Sequence, residues 1–134
     1  MIAYISDHQQ PPDGTDRIAD GALEVCDGAD LVIHDAQFTA DDLAVKGDWG
    51  HCTVEYAVHV AATAGARRLA LFHHDPARSD EGVDGLLAAA RRLGEERGLT
   101  EVVAASEGLT ISLGGNGSGD RIGPATAERA ATTA

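Results

Sequence analysis

The chain has 134 residues, enough for one domain with a real core and no more. Its 22 acidic against 10 basic residues leave a formal charge of −12, which argues against general attraction to nucleic acid and favours solubility. No apolar run reaches membrane-spanning length, the N-terminus lacks a secretory pattern, and Cys26 and Cys52 show no paired spacing, so the expected compartment is a reducing cytoplasm.

In chain order, residues 2–6 read as a strand that ends in Asp7 and His8. Gln10-Pro11-Pro12-Asp13-Gly14 is turn chemistry, because proline fixes φ and glycine permits positive φ. Thr15 or Asp16 is expected to cap a short helix running to about Cys26, with Ile18, Ala22 and Val25 on one face, and Asp27-Gly28 stops it. Residues 31–34 read as a short buried strand, Thr39-Ala40-Asp41-Asp42 as the capped start of one or two helical turns, and Gly47-Asp48-Trp49-Gly50 as a loop that delivers His51. Thr53 then caps a helix whose Val54, Ala57, Val58 and Ala61 fall on one face, with Gly65 closing it. His59 lies on the other face and reads as a solvated helix residue. After a central strand to Phe72, Ser79 or Asp80 caps the longest helix, which turns Val83, Leu86, Leu87, Ala90 and Leu93 inward and ends at Gly98. Its Arg91, Arg92, Glu95, Glu96 and Arg97 are expected to be a wet surface. Residues 101–104 and 109–113 read as two short strands joined by Ser106-Glu107-Gly108 in an edge hairpin, and residues 114–134 as a disordered tail. Helices alternating with strands define an α/β layer fold. No internal repeat, glycine-rich phosphate loop or Cys-x-x-Cys pair is present.

The chemistry gathers where strands stop. Leu69-Ala70-Leu71-Phe72 ends in His73-His74-Asp75-Pro76, and the proline forbids the ladder from continuing. Leu31-Val32-Ile33 ends in His34-Asp35, the first strand ends in Asp7-His8, and Gly50-His51-Cys52-Thr53 sits just ahead of a helix. Parallel strands that bring these ends to one rim produce an Asp/His cluster with the ligand types of a metallohydrolase.

With these four groups placed, residues 1–113 resemble the C-terminal half of a metallo-β-lactamase-fold hydrolase, in the branch that holds ribonuclease Z and related phosphodiesterases. Tyr4-Ile5-Ser6-Asp7-His8 is similar to the strand ending in the aspartate that bridges two metals. His34-Asp35-Ala36-Gln37-Phe38-Thr39 resembles the family's His-Glu-Ala-Thr segment, Gly50-His51-Cys52-Thr53 its Gly-His-Ser-Thr element, and Leu71-Phe72-His73 the strand ending in the last metal-binding histidine. The resemblance implies half of an αββα sandwich, with helices packed on one face of the sheet. It also implies two zinc ions in the intact domain, with Asp7 and His73 as metal ligands. The same resemblance implies that Asp35 would orient a catalytic His51, which would give a proton to the leaving oxygen while a metal-bound hydroxide attacks a phosphoester or similar bond. His8, His34 and His74 are runners-up, since only one of His73 and His74 can face a metal directly. The family's His-x-His-x-Asp-His signature, which belongs to the N-terminal half, has no match here. The chain is therefore expected to be a truncated piece of a longer protein or a remnant that has lost the activity and, by itself, a weak binder of zinc and a poor or inactive hydrolase of a small-molecule or phosphoester substrate. The missing N-terminal half or a homo-oligomer is the expected partner. The competing reading is a non-catalytic α/β binding or interaction module.

Overall fold

The structure, a computed structural model, describes residues 1–114 and 122–123. It divides into two units, Met1–Ala104 and Ala105–Ala134.

The first unit is an α/β layer. Its elements are β1 (Ile2–Ile5), α1 (Asp20–Cys26), β2 (Leu31–Asp35), α2 (Ala40–Lys46), α3 (Val54–Thr63), β3 (Arg68–Phe72), α4 (Asp80–Glu96) and β4 (Glu101–Ala104). The four strands form one sheet in the order β1-β2-β3-β4, every neighbouring pair parallel. Parallel neighbours need a crossover, and crossovers of one hand between successive neighbours send the intervening helices to the same side. The packing of α3 against both α1 and α4 agrees with that. Ala3, Val32, Leu69 and Val102 stand in register across the sheet and belong to the core beneath the helices.

Alternation sends the next residues of each strand to the opposite face, which carries Ile2, Tyr4, Ile33, Ala70, Phe72 and Val103 together with the Arg68–Glu101 ion pair. Ile2 is 54% exposed and Tyr4 56%, with the Tyr4 and Phe72 rings edge to face at 5.7 Å.

The capping chemistry forms as its residue types dictate. Thr39 and Asp42 make a reciprocal capping box on α2, the Thr53 hydroxyl accepts from Tyr56 N–H at the head of α3, and Ser79 accepts from Gly82 N–H at the head of α4. Helix α3 is buried on more than the one expected face, since Tyr56 and Val60 are covered as well as Val54, Ala57, Val58 and Ala61. It lies between two helices and on the sheet. Helix α4 keeps its charged residues 91, 92 and 95–97 exposed.

Two expectations are corrected. Helix α1 begins at Asp20, with Ala19 as an N-cap that makes no side-chain bond, instead of at Thr15 or Asp16. Thr15 is taken by a turn in which its N–H and hydroxyl both donate to Asp13 Oδ1. The carbonyls of Asp16 and Arg17 accept from His59 Nε2 and the Tyr56 hydroxyl, which holds that stretch against α3 in place of a helical ladder. The edge hairpin is absent too: β4 pairs in parallel with β3. In the second unit β5 (Thr110–Ile111) pairs antiparallel with β6 (Ile122–Gly123). Apart from Gly114 and Ile122–Gly123, the expected tail of residues 114–134 lies outside the described residues. Among the described residues no helix is long and apolar enough to cross a membrane.

Candidate metal centre at the strand ends

A parallel sheet delivers the C-terminal ends of all its strands to one edge, where α/β folds bind ligands. Asp35 is the last residue of β2, His73 follows β3 directly, and Asp7 lies just past β1. Asp7 has φ 51° and His73 φ 58°, and among the described residues these are the only non-glycine positions in the left-handed region. Such a conformation costs about 1–3 kcal/mol and persists where the surroundings enforce it, often at functional sites.

His51 arrives from a different element. Gly50, at φ 90°, makes the turn that a side chain would resist. Gln9 and Gln10 then fasten the loop: Gln9 Oε1 accepts from Gly50 N–H at 2.7 Å, and Gln10 Oε1 accepts from Thr53 N–H and hydroxyl, both at 3.0 Å. Sequence reasoning, which takes this stretch as turn chemistry, misses both amides. Their only signal is adjacency to Asp7-His8, because side-chain-to-backbone bonding across 41 to 43 residues has no periodicity.

One ligand atom from each of Asp7, Asp35, His51 and His73 lies within 4.8 Å of the others. His51 Nδ1–H donates to Asp35 Oδ2 at 2.6 Å; Asp7 Oδ1 is 3.8 Å from His51 Nδ1 and 3.9 Å from His73 Nε2. The two imidazole rings lie 4.8 Å apart. Burial is graded: Asp35 is fully enclosed, whereas the Asp7 side chain is 64% exposed. The Asp35 carboxylate also accepts from the backbone N–H of His8 on Oδ2 and of Gln37 on Oδ1, so three donors hold it and it in turn orients His51. His73 Nδ1 is buried without a hydrogen-bond partner among the described residues, a costly state that asks for an explanation. Asp35 and His51 are engaged with each other, whereas the exposed Asp7 carboxylate and the His73 imidazole are donor types that zinc accepts, so this pair fits the metal as part of a fuller set.

The runner-up histidines are elsewhere. His74 is outside the four-residue group. His34 is wholly buried in a hydrogen-bonded pair with His8, and burial pushes its imidazole down to about 4. Burial also lowers His8, against the raising influence of Asp35. His59, read as a solvated helix residue, is part-exposed and accepts from Arg97 Nη1 while bonding the Asp16 carbonyl. Cys52 Sγ–H donates to the Asp35 carbonyl, and burial raises its thiol far above the usual range; both cysteines are free.

Residues 2–74 match the family model described as "Beta-lactamase superfamily domain", and the chain belongs to that superfamily. It is related to ribonuclease Z. The enzyme of that name from Geobacillus kaustophilus is 37% identical over 78 residues, covering 58% of this chain and 25% of that one. The Natronomonas pharaonis ribonuclease Z is 42% identical over 60 residues, covering 45% and 20%. The crystal structure of the metallo-beta-lactamase fold protein YhfI from Bacillus subtilis superposes with a TM-score of 0.58 at 25% identity, over 78% of this chain and 36% of that one. The chain thus spans about a quarter of the length of its ribonuclease Z relatives and about a third of the YhfI chain.

Proposed function

We propose that the chain is the strand-end half of a metal-dependent phosphoester hydrolase, on one observation above others: Asp7, Asp35, His51 and His73 converge within 4.8 Å from four separate chain segments. In this reading Asp7 and His73 hold the metal, and the two oxygens of Asp7 suit a bridge between two ions. Bound zinc would supply Lewis acidity and bring water's pKa near neutrality. Asp35 accepts from His51 Nδ1–H and would stabilise the imidazolium form, in which Nε2 carries a second proton; that Nε2 proton is the one the leaving oxygen would take, returning His51 to its neutral Nδ1–H form. The phosphoester class follows from the likeness to ribonuclease Z.

Catalytic zinc ordinarily takes about three protein ligands per ion, so Asp7 and His73 need others from polypeptide outside this chain. The half-exposed apolar face of Ile2, Tyr4, Ile33 and Phe72 suits a second sheet docked there, which would complete an αββα sandwich. The small ligand count equally favours a non-catalytic module when the chain acts alone.

Calorimetric titration with zinc separates these readings. Wild-type chain is expected to bind weakly, and Asp7→Asn and His73→Ala each to weaken binding tenfold or more, as outer limits of about 10–100-fold for metal-site changes suggest. Turnover of a chromogenic phosphodiester is expected only when an N-terminal half carrying the His-x-His-x-Asp-His signature is added, and His51→Ala removes it while leaving zinc binding in place. Zinc binding indifferent to both ligand substitutions defeats the assignment.

A further inference from the structure

We infer that His8 and His34 form a tautomer-locked pair that equips a second ligand site beside the strand-end rim, for a phosphorylated compound whose ring carries an N–H or O–H donor. The phosphate of that ligand rests on the phosphoester reading; the rest comes from the geometry of the pair and its cleft.

His34 is fully buried, and its Nδ1 lies 2.7 Å from the Asp35 carbonyl oxygen. A carbonyl only accepts, so the His34 proton sits on Nδ1 and Nε2 is a bare acceptor. His8 Nδ1 lies 3.0 Å from that Nε2 and therefore carries a proton of its own. Neutral His8 is left with a bare Nε2, for which no hydrogen bond exists among the described residues. Two N–H donors thus point the same way along the pair, and the far end is a fixed acceptor. The ring is held between His34, at 5.0 Å, and Tyr56, edge to face at 5.6 Å.

His8 lines a cleft of ≈ 360 Å³ together with Pro11, Arg17, Ile18 and Tyr56. Proline, isoleucine and tyrosine supply apolar walls that suit a flat ring. Arg17 is positioned by its own carbonyl, which accepts from the Tyr56 hydroxyl at 2.9 Å, and its guanidinium enters no ion pair among the described residues. Arg17 lies near enough to Asp13 to help lower that carboxyl, but, with no ion pair of its own among those residues and an apolar cleft beside it, it is suited to an anionic group. One oriented acceptor, one cation and flat walls together define the ligand. His8 follows Asp7 directly, so the cleft adjoins the proposed metal ligands along the chain, yet His8 is not one of the four clustered residues.

The test uses the 134-residue chain in chelator, with uridine 5′-monophosphate, its N3-methyl analogue and inorganic phosphate as probes. Long-range proton–nitrogen spectra should show the Nδ1–H tautomer at both His8 and His34. Uridine monophosphate should shift the resonances of His8, Ile18 and Tyr56. The N3-methyl analogue, which lacks the donor, should bind about tenfold more weakly. In His8→Phe that difference should vanish, and Arg17→Ala should weaken both nucleotides and abolish the phosphate response. An Nε2–H tautomer at His8, equal affinity for the two nucleotides, or shifts confined to other residues overturns the inference. Asp7→Asn and His73→Ala should leave nucleotide binding intact, so loss of the metal reading and loss of this site are read separately.

Discussion

His73 occupies a backbone state that favours glycine, and the sheet rim holds it there. His73→Gly should relieve about 1–2 kcal/mol of local strain, offset in part by the greater freedom of glycine in the unfolded chain. We expect its urea midpoint to equal or exceed wild type while zinc binding is lost; a midpoint lowered by more than about 1 kcal/mol in free energy would mean that the ring is needed for packing. His34 gives a second prediction. Its folded pKa, about 4, lies below the unfolded 6.5, so the unfolded state binds more protons between those values. Stability is full above pH 6.5 and falls as pH drops toward 4, by about 3 kcal/mol at the foot of the window. Urea midpoints across pH 7 to 4 should fall steeply in wild type and less steeply in His34→Gln. Asp42 acts lower: its pKa, brought to about 2 chiefly by the Thr39 backbone N–H, makes it a stabiliser that is lost only below pH 3.8.

Among the elements, α4 and β4 approach tightly at Gly94. A Cβ there would lie 2.7 Å from Val102 Cγ2, and valine cannot swing aside easily on a packed strand. Gly94→Ala gains helix propensity of about 1 kcal/mol but must displace the strand at a cost of about 1–3 kcal/mol. A net loss of about 1 kcal/mol is expected, read as a lower urea midpoint with an unchanged slope; a stabilised variant would show that β4 yields. Helix α1 shows what sequence could not reveal about elements. Thr15 and Asp16 were the starts that local chemistry offered, and the later start at Asp20 was set by Tyr56 and His59, 39 and 43 residues away from the carbonyls they hold. The helices with Thr39, Thr53 and Ser79 caps were legible because cap and periodic face lie within one short window.

At the scale of the molecule, the four clustered residues were legible because each is chemically distinct and ends an apolar run or opens a helix, and parallel topology alone brings such ends together. The partner of β5 was not, since a two-residue strand carries too little pattern to choose between β4 and β6. The half-exposed sheet face carries the last prediction. The isolated chain should self-associate at high concentration through Ile2 and Tyr4, and Ile2→Lys with Tyr4→Lys should return it to monomer in sedimentation velocity without a large change in stability. Unaltered association in the double variant would place the sticky surface elsewhere. Because strand order in the sheet equals strand order in the chain, the rim has a timetable. Asp7, Asp35, His51 and His73 have all been synthesised once residue 73 is made, and the family match ends one residue later. The later elements α4 and β4 contribute none of the four; β4 pairs with the open edge of β3, and α4 packs on β4 and α3. The chemistry and its weatherproofing are therefore separate lengths of chain, and the second can change in sequence with only packing, not ligation, to answer to.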